Sequence, residues 1–164
     1  MGKFKDEVMR MYQKSVENEI IEEIEKLENL TDLEVKKFTK EGGYSDKLAR
    51  KWIKSLKTAQ LRKFFDTIKD IEKDLKQKDV SWDEVEEKFY LLEPQLVYAA
   101  GRKVMGKPIL PDGFYRIMKV CMRKIVRGDA NIKKKNYMRF VQFLESIVAY
   151  HKYHEEKAKQ KGGR

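Results

Sequence analysis

Residues 111–127 read PDGFYRIMKVCMRKIVR, a spacing that writes one helix with two unlike faces. At about 100° per residue, Phe114, Ile117, Met118, Cys121 and Ile125 gather on one side. Arg116, Lys119, Arg123 and Arg127 line up roughly opposite, flanked by Lys124. A solvated helix ordinarily mixes signs, because a carboxylate at i,i+4 from a cation adds about 0.2–0.5 kcal/mol and like charges lose similar amounts. No carboxylate interrupts this row, which runs for about 16 Å at about 1.5 Å per residue, long enough to meet several successive phosphates of a nucleic acid. The spacing predicts an apolar underside against a core and an outer strip of cations for a polyanion.

The helical period continues on both sides of this segment, and strand alternation is absent. From Phe4 to Leu30, the residues Val8, Tyr12, Val16, Ile20, Ile24 and Leu27 predict one long amphipathic helix of mixed outer charge. After a poorly defined stretch from Thr31, Gly42-Gly43 breaks the pattern, and Ser45 is positioned to cap a helix to about Leu56. Thr58 is positioned to cap the next, with Leu61, Phe64, Phe65, Ile68, Ile71 and Leu75 inward, and Ser81 to cap a fourth through Ala100, kinked at Pro94. Gly128 stops the two-faced helix, and Asp129 or Asn131 caps a last one carrying Tyr137, Phe140, Val141, Leu144, Ile147, Val148 and His151. These elements predict an all-α fold: a compact bundle of five to six helices, a single domain over residues 1–157, with residues 158–164 a disordered basic tail.

Charge narrows the function. The chain of 164 residues has 37 Lys+Arg against 27 Asp+Glu, a formal charge of +10. Residues 1–43 carry 8 basic and 11 acidic side chains, 44–107 carry 15 and 11, and 108–164 carry 14 and 5, so a polyanion is expected on the last third. A surface rich in Lys and Glu also fits a thermophile's ion-pair networks, but that account predicts mixed signs, which the last third lacks. The single cysteine, Cys121, excludes a disulfide framework and reads as a small core residue. The stretch MGKFKDEVMRMYQK has no continuous apolar core and no small-residue cleavage site, and nowhere do about 18 apolar residues run together, so a cytoplasmic protein without membrane contact is expected.

Enzyme signatures are missing: there is no glycine-rich phosphate loop, no G-x-S-x-G, no cysteine pair and no H-E-x-x-H. His151-x-x-His154 places two imidazoles on adjacent turns, with Glu155 and Glu156 the near carboxylates; a core-edge histidine is the preferred reading over a metal ligand, and neither a metal nor a cofactor is expected. The remaining cations have two readings each. Arg102 and Lys103 close the fourth helix, where cations also satisfy the last carbonyls. Lys133, Lys134 and Lys135 stand at the start of the last helix, where the dipole disfavours them; a solvated loop competes with polyanion contact.

Three segments then carry a resemblance. Leu56-Lys57-Thr58-Ala59-Gln60-Leu61-Arg62-Lys63-Phe64-Phe65, Leu96-Val97-Tyr98-Ala99-Ala100-Gly101-Arg102 and Phe143-Leu144-Glu145-Ser146-Ile147-Val148-Ala149-Tyr150-His151-Lys152 resemble, in order and spacing, the "TsQLRKF", "LAYAAGR" and "FLEAIVAYHK" segments of the small subunit of type III-A CRISPR effector complexes, the Csm small-subunit family. The resemblance covers about residues 45–157, with Ala59 where the family usually has Ser and Ser146 where it usually has Ala. It implies a non-catalytic helical subunit of an antiviral defence complex. Copies would stack along a channel that holds CRISPR RNA paired with target RNA, beside the backbone subunits and the large subunit. It also implies RNA-facing roles for Arg62, Lys63 and Arg102. Together with Lys103, Arg116, Lys119, Arg123, Lys124, Arg127, Lys133, Lys134 and Lys135, these form the expected RNA-binding set, with about four phosphates neutralised per copy. The alternative is a helical assembly or adaptor protein whose basic surface meets partner proteins rather than RNA.

Overall fold

The computed structural model describes residues 2–12 and 14–162, and for residues 8–12 the backbone path alone. In chain order the elements are α1 (Gly2–Tyr12), α2 (Val16–Lys26), a 3-10 turn (Leu30–Asp32), α3 (Val35–Thr39), α4 (Tyr44–Trp52), α5 (Thr58–Leu75), α6 (Trp82–Tyr90), α7 (Leu92–Gly101), strands β1 (Lys103–Val104) and β2 (Lys107–Pro108), α8 (Asp112–Ile125) and α9 (Ala130–Gly162). The all-α bundle is as the periodicity predicts, but several boundaries differ, each for a local reason.

The helix expected from Phe4 to Leu30 is two helices. Ser15 adopts an extended backbone and its Oγ accepts from the Asn18 amide at 3.1 Å, so a hydroxyl that competes for backbone donors starts α2 there. Val8 and Tyr12, expected on its apolar face, lie outside the described side chains. The fourth helix also divides. The ring of Pro94 excludes the carbonyl of the residue four positions earlier, Tyr90, and α6 ends at that residue. Ser81 holds the expected cap position of α6 but its hydroxyl makes no capping hydrogen bond, whereas Gly43 and Lys57 take the positions expected of Ser45 and Thr58. Those two hydroxyls serve tertiary contacts with α9 instead: Ser45 hydrogen-bonds Ser146, and Thr58 donates to Glu155. The bundle also carries one short antiparallel pair, Lys103↔Pro108 and Val104↔Lys107, closed by a two-residue turn with Met105 at φ 53° and Gly106 at φ 79°. Residues 158–162, expected in the disordered tail, continue α9. Lys159 Nζ lies 3.4 Å from Glu155 Oε1, an i,i+4 pair of a kind that supports an isolated helix end.

The spine is α9, against which α3, α4, α5, α6 and α8 pack, while α2 packs on α8. The residues read as its core face, from Tyr137 to Ile147, are buried, and Asp129 caps its start by accepting from the Ile132 amide at 2.9 Å. Buried polar groups pin it in register. Tyr137 donates to the Ile68 carbonyl at 2.7 Å, Asn136 Oδ1 accepts from the Thr31 amide at 3.1 Å, and His151 Nε2 sits 2.7 Å from the Leu56 carbonyl. The apolar face of α8 is buried as predicted, with Phe114, Ile117, Met118, Cys121 and Ile125 all inside, and burial pushes the Cys121 thiol up to about 12. Beyond α8, Gly128 takes φ 91°, a conformation that ends the helix and that a side chain would strain.

The other histidine ties α9 to α4. His154 Nε2 is 2.6 Å from Asp46 Oδ1, and Asp46 also accepts from the Gly42 amide at 2.8 Å and from Arg50 at 3.1 Å. Burial raises the Asp46 carboxyl, but the three donors outweigh it and hold the group at about 2, below the ordinary 3.8. A depressed carboxylate contributes stability that is complete above its unfolded pKa and is lost as pH falls through the folded value. The expected result is about 2 kcal/mol lost between pH 4 and pH 2. Urea unfolding across that range should show this loss, and Asp46→Asn should remove about that share of it, leaving the part due to Glu23, Glu72 and Glu155, whose carboxyls are also held low.

Candidate nucleic-acid interface

The cationic face of α8 is less free than its own sequence suggests. Lys124 is buried, 4 % exposed, and its ammonium donates to the Glu25 carbonyl at 2.7 Å and the Leu27 carbonyl at 2.6 Å, closing the C-terminal end of α2. Burial, followed by the nearby charge of Arg127, lowers its pKa, with Glu25 opposing. This corrects the reading of Lys124 as an exposed flank. Arg116 is also engaged, its Nε 2.9 Å from Asp112 Oδ2 and its Nη1 2.6 Å from Asn18 Oδ1. Lys119 pairs with Glu93 of α7. Only Arg123 and Arg127 of the row are exposed without an ion pair among the described residues. Asp112 was legible as an i,i+4 partner one turn ahead of Arg116. Glu93 was not, since it comes from another helix.

The lysines at the start of α9 divide similarly. Lys133 lies 3.6 Å from Glu86, Lys134 donates to the Val80 carbonyl at 3.0 Å, and Lys135 is exposed. They stand within the helix rather than in a loop. Lys134 and Lys135 line a shallow groove of about 450 Å³ with Arg139, which sequence reasoning did not single out. Arg139 donates to the Thr31 carbonyl at 2.8 Å and to the Leu33 carbonyl, a chain-crossing role with no local sequence signal.

A second groove, of about 400 Å³, joins two segments that the sequence presents far apart. Its apolar floor includes Phe64, Leu96 and Leu110, and its rim carries Gln60, Lys63, Tyr98 and Arg102. Lys63 comes from the second turn of α5 and Arg102 from the end of α7, so the "QLRKF" and "AAGR" matches supply the two cations. Arg62, beside Lys63, is exposed but lies off the lining. The end of α7 and the hairpin hold the Arg102 backbone from both sides: its amide donates to the Ala99 carbonyl at 3.2 Å, and its carbonyl accepts from the Ile109 amide, just past β2, at 3.1 Å. Its guanidinium lies 5.7 Å from the centroid of the Tyr98 ring, which leaves it uncommitted to the last carbonyls of α7. Neither Lys63 nor Arg102 has an ion pair among the described residues, and Lys103 on β1 is exposed as well. Tyr98 escaped the sequence reading although it stands at i,i+4 from Arg102, the spacing that stacks two side chains on one helix face.

Among the described residues no group of three or more His, Cys, Asp or Glu side chains is placed to hold a metal ion, and no helix is long and apolar enough to cross a membrane. The molecule is therefore a helical bundle presenting two cation-lined grooves. The sequence model of the family described as Csm2 Type III-A matches residues 35–157, and the chain belongs to that family, the small subunits of the type III-A CRISPR complex. The match spans the Lys63–Arg102 groove, α8 and most of α9, and all of the other groove's lining except Thr31. No curated protein and no solved structure matches the chain.

Proposed function

We propose that this chain is a non-catalytic, cytoplasmic subunit that meets the backbone of the CRISPR RNA–target RNA duplex through basic residues and stacks with further copies beside the backbone and large subunits. The observation that carries the reading is the convergence of Lys63 and Arg102 on one groove, both without an internal acidic partner among the described residues. Arg62, Lys103, Arg123, Arg127 and Lys135 extend the available charge, while Lys124 acts on its own fold, as do, more weakly, Arg116, Lys119, Lys133 and Lys134. An A-form duplex hides its base edges in a deep, narrow major groove, so phosphates and 2′-hydroxyls are what such cations reach, and sequence is read by base pairing. Stacking is supported by apolar side chains left in solvent near the α6–α7 corner and the hairpin, with Leu91 59 % and Met105 96 % exposed.

Salt dependence tests the proposal. In the reconstituted complex, Lys63→Ala with Arg102→Ala in every copy should flatten the fall of log affinity with log salt by about 1.5 per engaged copy. Helix content should not change, since both side chains are at the surface. An unchanged slope together with loss of the subunit from the complex would assign the basic surface to acidic patches on partner proteins and overturn the RNA reading.

A further inference from the structure

Resting on that reading of the same groove, we propose that it seats one unpaired nucleotide of the RNA, with the base against Tyr98 and the phosphate between Arg102 and Lys63. Three observations point there. Tyr98 is 70 % exposed, an unusual position for an aromatic ring, and Arg102 covers one face of it at 5.7 Å while holding its orientation. The space beside the ring has a volume of about 400 Å³, at the small end of the roughly 300–1,000 Å³ range of ligand pockets. Its lining also grades outward from apolar to amide to cation: Leu96 is buried and Ile109 half-buried, Gln60 is half-buried and Gln95 exposed, and Lys63 and Arg102 are exposed.

That order matches the parts of a nucleotide. A base stacks on an aromatic ring whatever its identity, because every base has a π face. The side-chain amide of glutamine offers both a donor and an acceptor to a base edge, and the cations meet the phosphate. A paired base cannot use such a site. Its faces are covered by its neighbours in the helix, so a duplex meets only the cations on the rim and puts no base into the cleft. A protein segment is the less favoured occupant, because the rim carries two cations and no carboxylate.

The test uses the assembled complex loaded with target RNA carrying one 5-iodouridine, either opposite adenine or left unpaired by a mismatch in the guide. After long-wavelength irradiation, a photoadduct on Tyr98 is expected at least about tenfold more often from the unpaired position. Arg102→Ala should reduce that adduct severalfold without displacing the subunit. Tyr98→Ala should weaken retention of the RNA with the unpaired uridine about tenfold and leave the fully paired RNA within about twofold, with Tyr98→Phe restoring the difference. Equal adduct yields from paired and unpaired positions, adducts only elsewhere on the chain, or ejection of the Tyr98→Ala subunit from the complex would each overturn the proposal. Failure here with the salt slope still flattened by Lys63→Ala and Arg102→Ala removes the nucleotide pocket alone. Failure of both removes the RNA interface as well.

Discussion

Lys124→Met is expected to lower the unfolding free energy by about 2–4 kcal/mol while leaving the salt dependence of RNA binding unchanged. The ammonium makes two short hydrogen bonds, to the carbonyls of Glu25 and Leu27, at the end of α2 where the last helical carbonyls have no partner within the helix. A hydrogen bond with one charged member contributes about 1.5–3 kcal/mol, and methionine keeps the stem of the side chain but leaves both oxygens without their donor. Arg123→Met is the control. Its side chain is exposed and unpaired among the described residues, so it should change stability by less than about 0.5 kcal/mol. Urea unfolding of the two variants separates them. Equal stability would mean that water replaces the ammonium at no cost and that Lys124 has no capping role.

This contrast shows which part of the molecule a single sequence reveals. The apolar period of α8 is a local property, repeated every three or four residues, and every core residue it nominates is buried. The fate of a cation depends on what faces it from elsewhere. Lys119 meets Glu93 across the contact between α7 and α8, and Lys124 meets carbonyls about a hundred positions earlier, so neither is visible on a helical wheel. Caps follow the same division. Asp129 caps α9 through a bond three residues long, whereas the hydroxyls of Ser45 and Thr58 are drawn to α9. The groove lay between these cases. Lys63 and Arg102 were singled out by motif resemblance, but their meeting at one cleft depends on α6 joining α5 to α7 and on a hairpin whose Met-Gly turn lacks the usual Asn-Gly or Asp-Gly signal.

Phe114→Ala should have a larger effect than any of the surface changes, about 3–5 kcal/mol, and should reach the groove without touching it. Phe114 is fully buried. Its ring meets Trp52 edge-on at 5.5 Å and Phe64 at 5.9 Å, so one side chain of α8 joins α4 to α5. Edge-to-face pairs add about 0.5–1.5 kcal/mol each beyond the area they bury. Phe64 is also part of the groove floor, so a cavity at Phe114 removes its support and lets the floor sink away from Tyr98 and Arg102. The milder Phe114→Leu, expected to cost about 1–2 kcal/mol, keeps the chain folded for the functional measurement. Its control is Phe143→Leu, a similar truncation beside Phe38, where the rings lie 5.2 Å apart away from the groove. The two variants are expected to unfold at similar urea concentrations, with only Phe114→Leu weakening RNA binding at the groove. Equal loss from both would reduce the effect to general destabilisation. Loss from Phe114→Leu alone would mean that the two-faced helix serves the interface chiefly through its buried side, with Arg123 and Arg127 the part of its charged side left free for a phosphate.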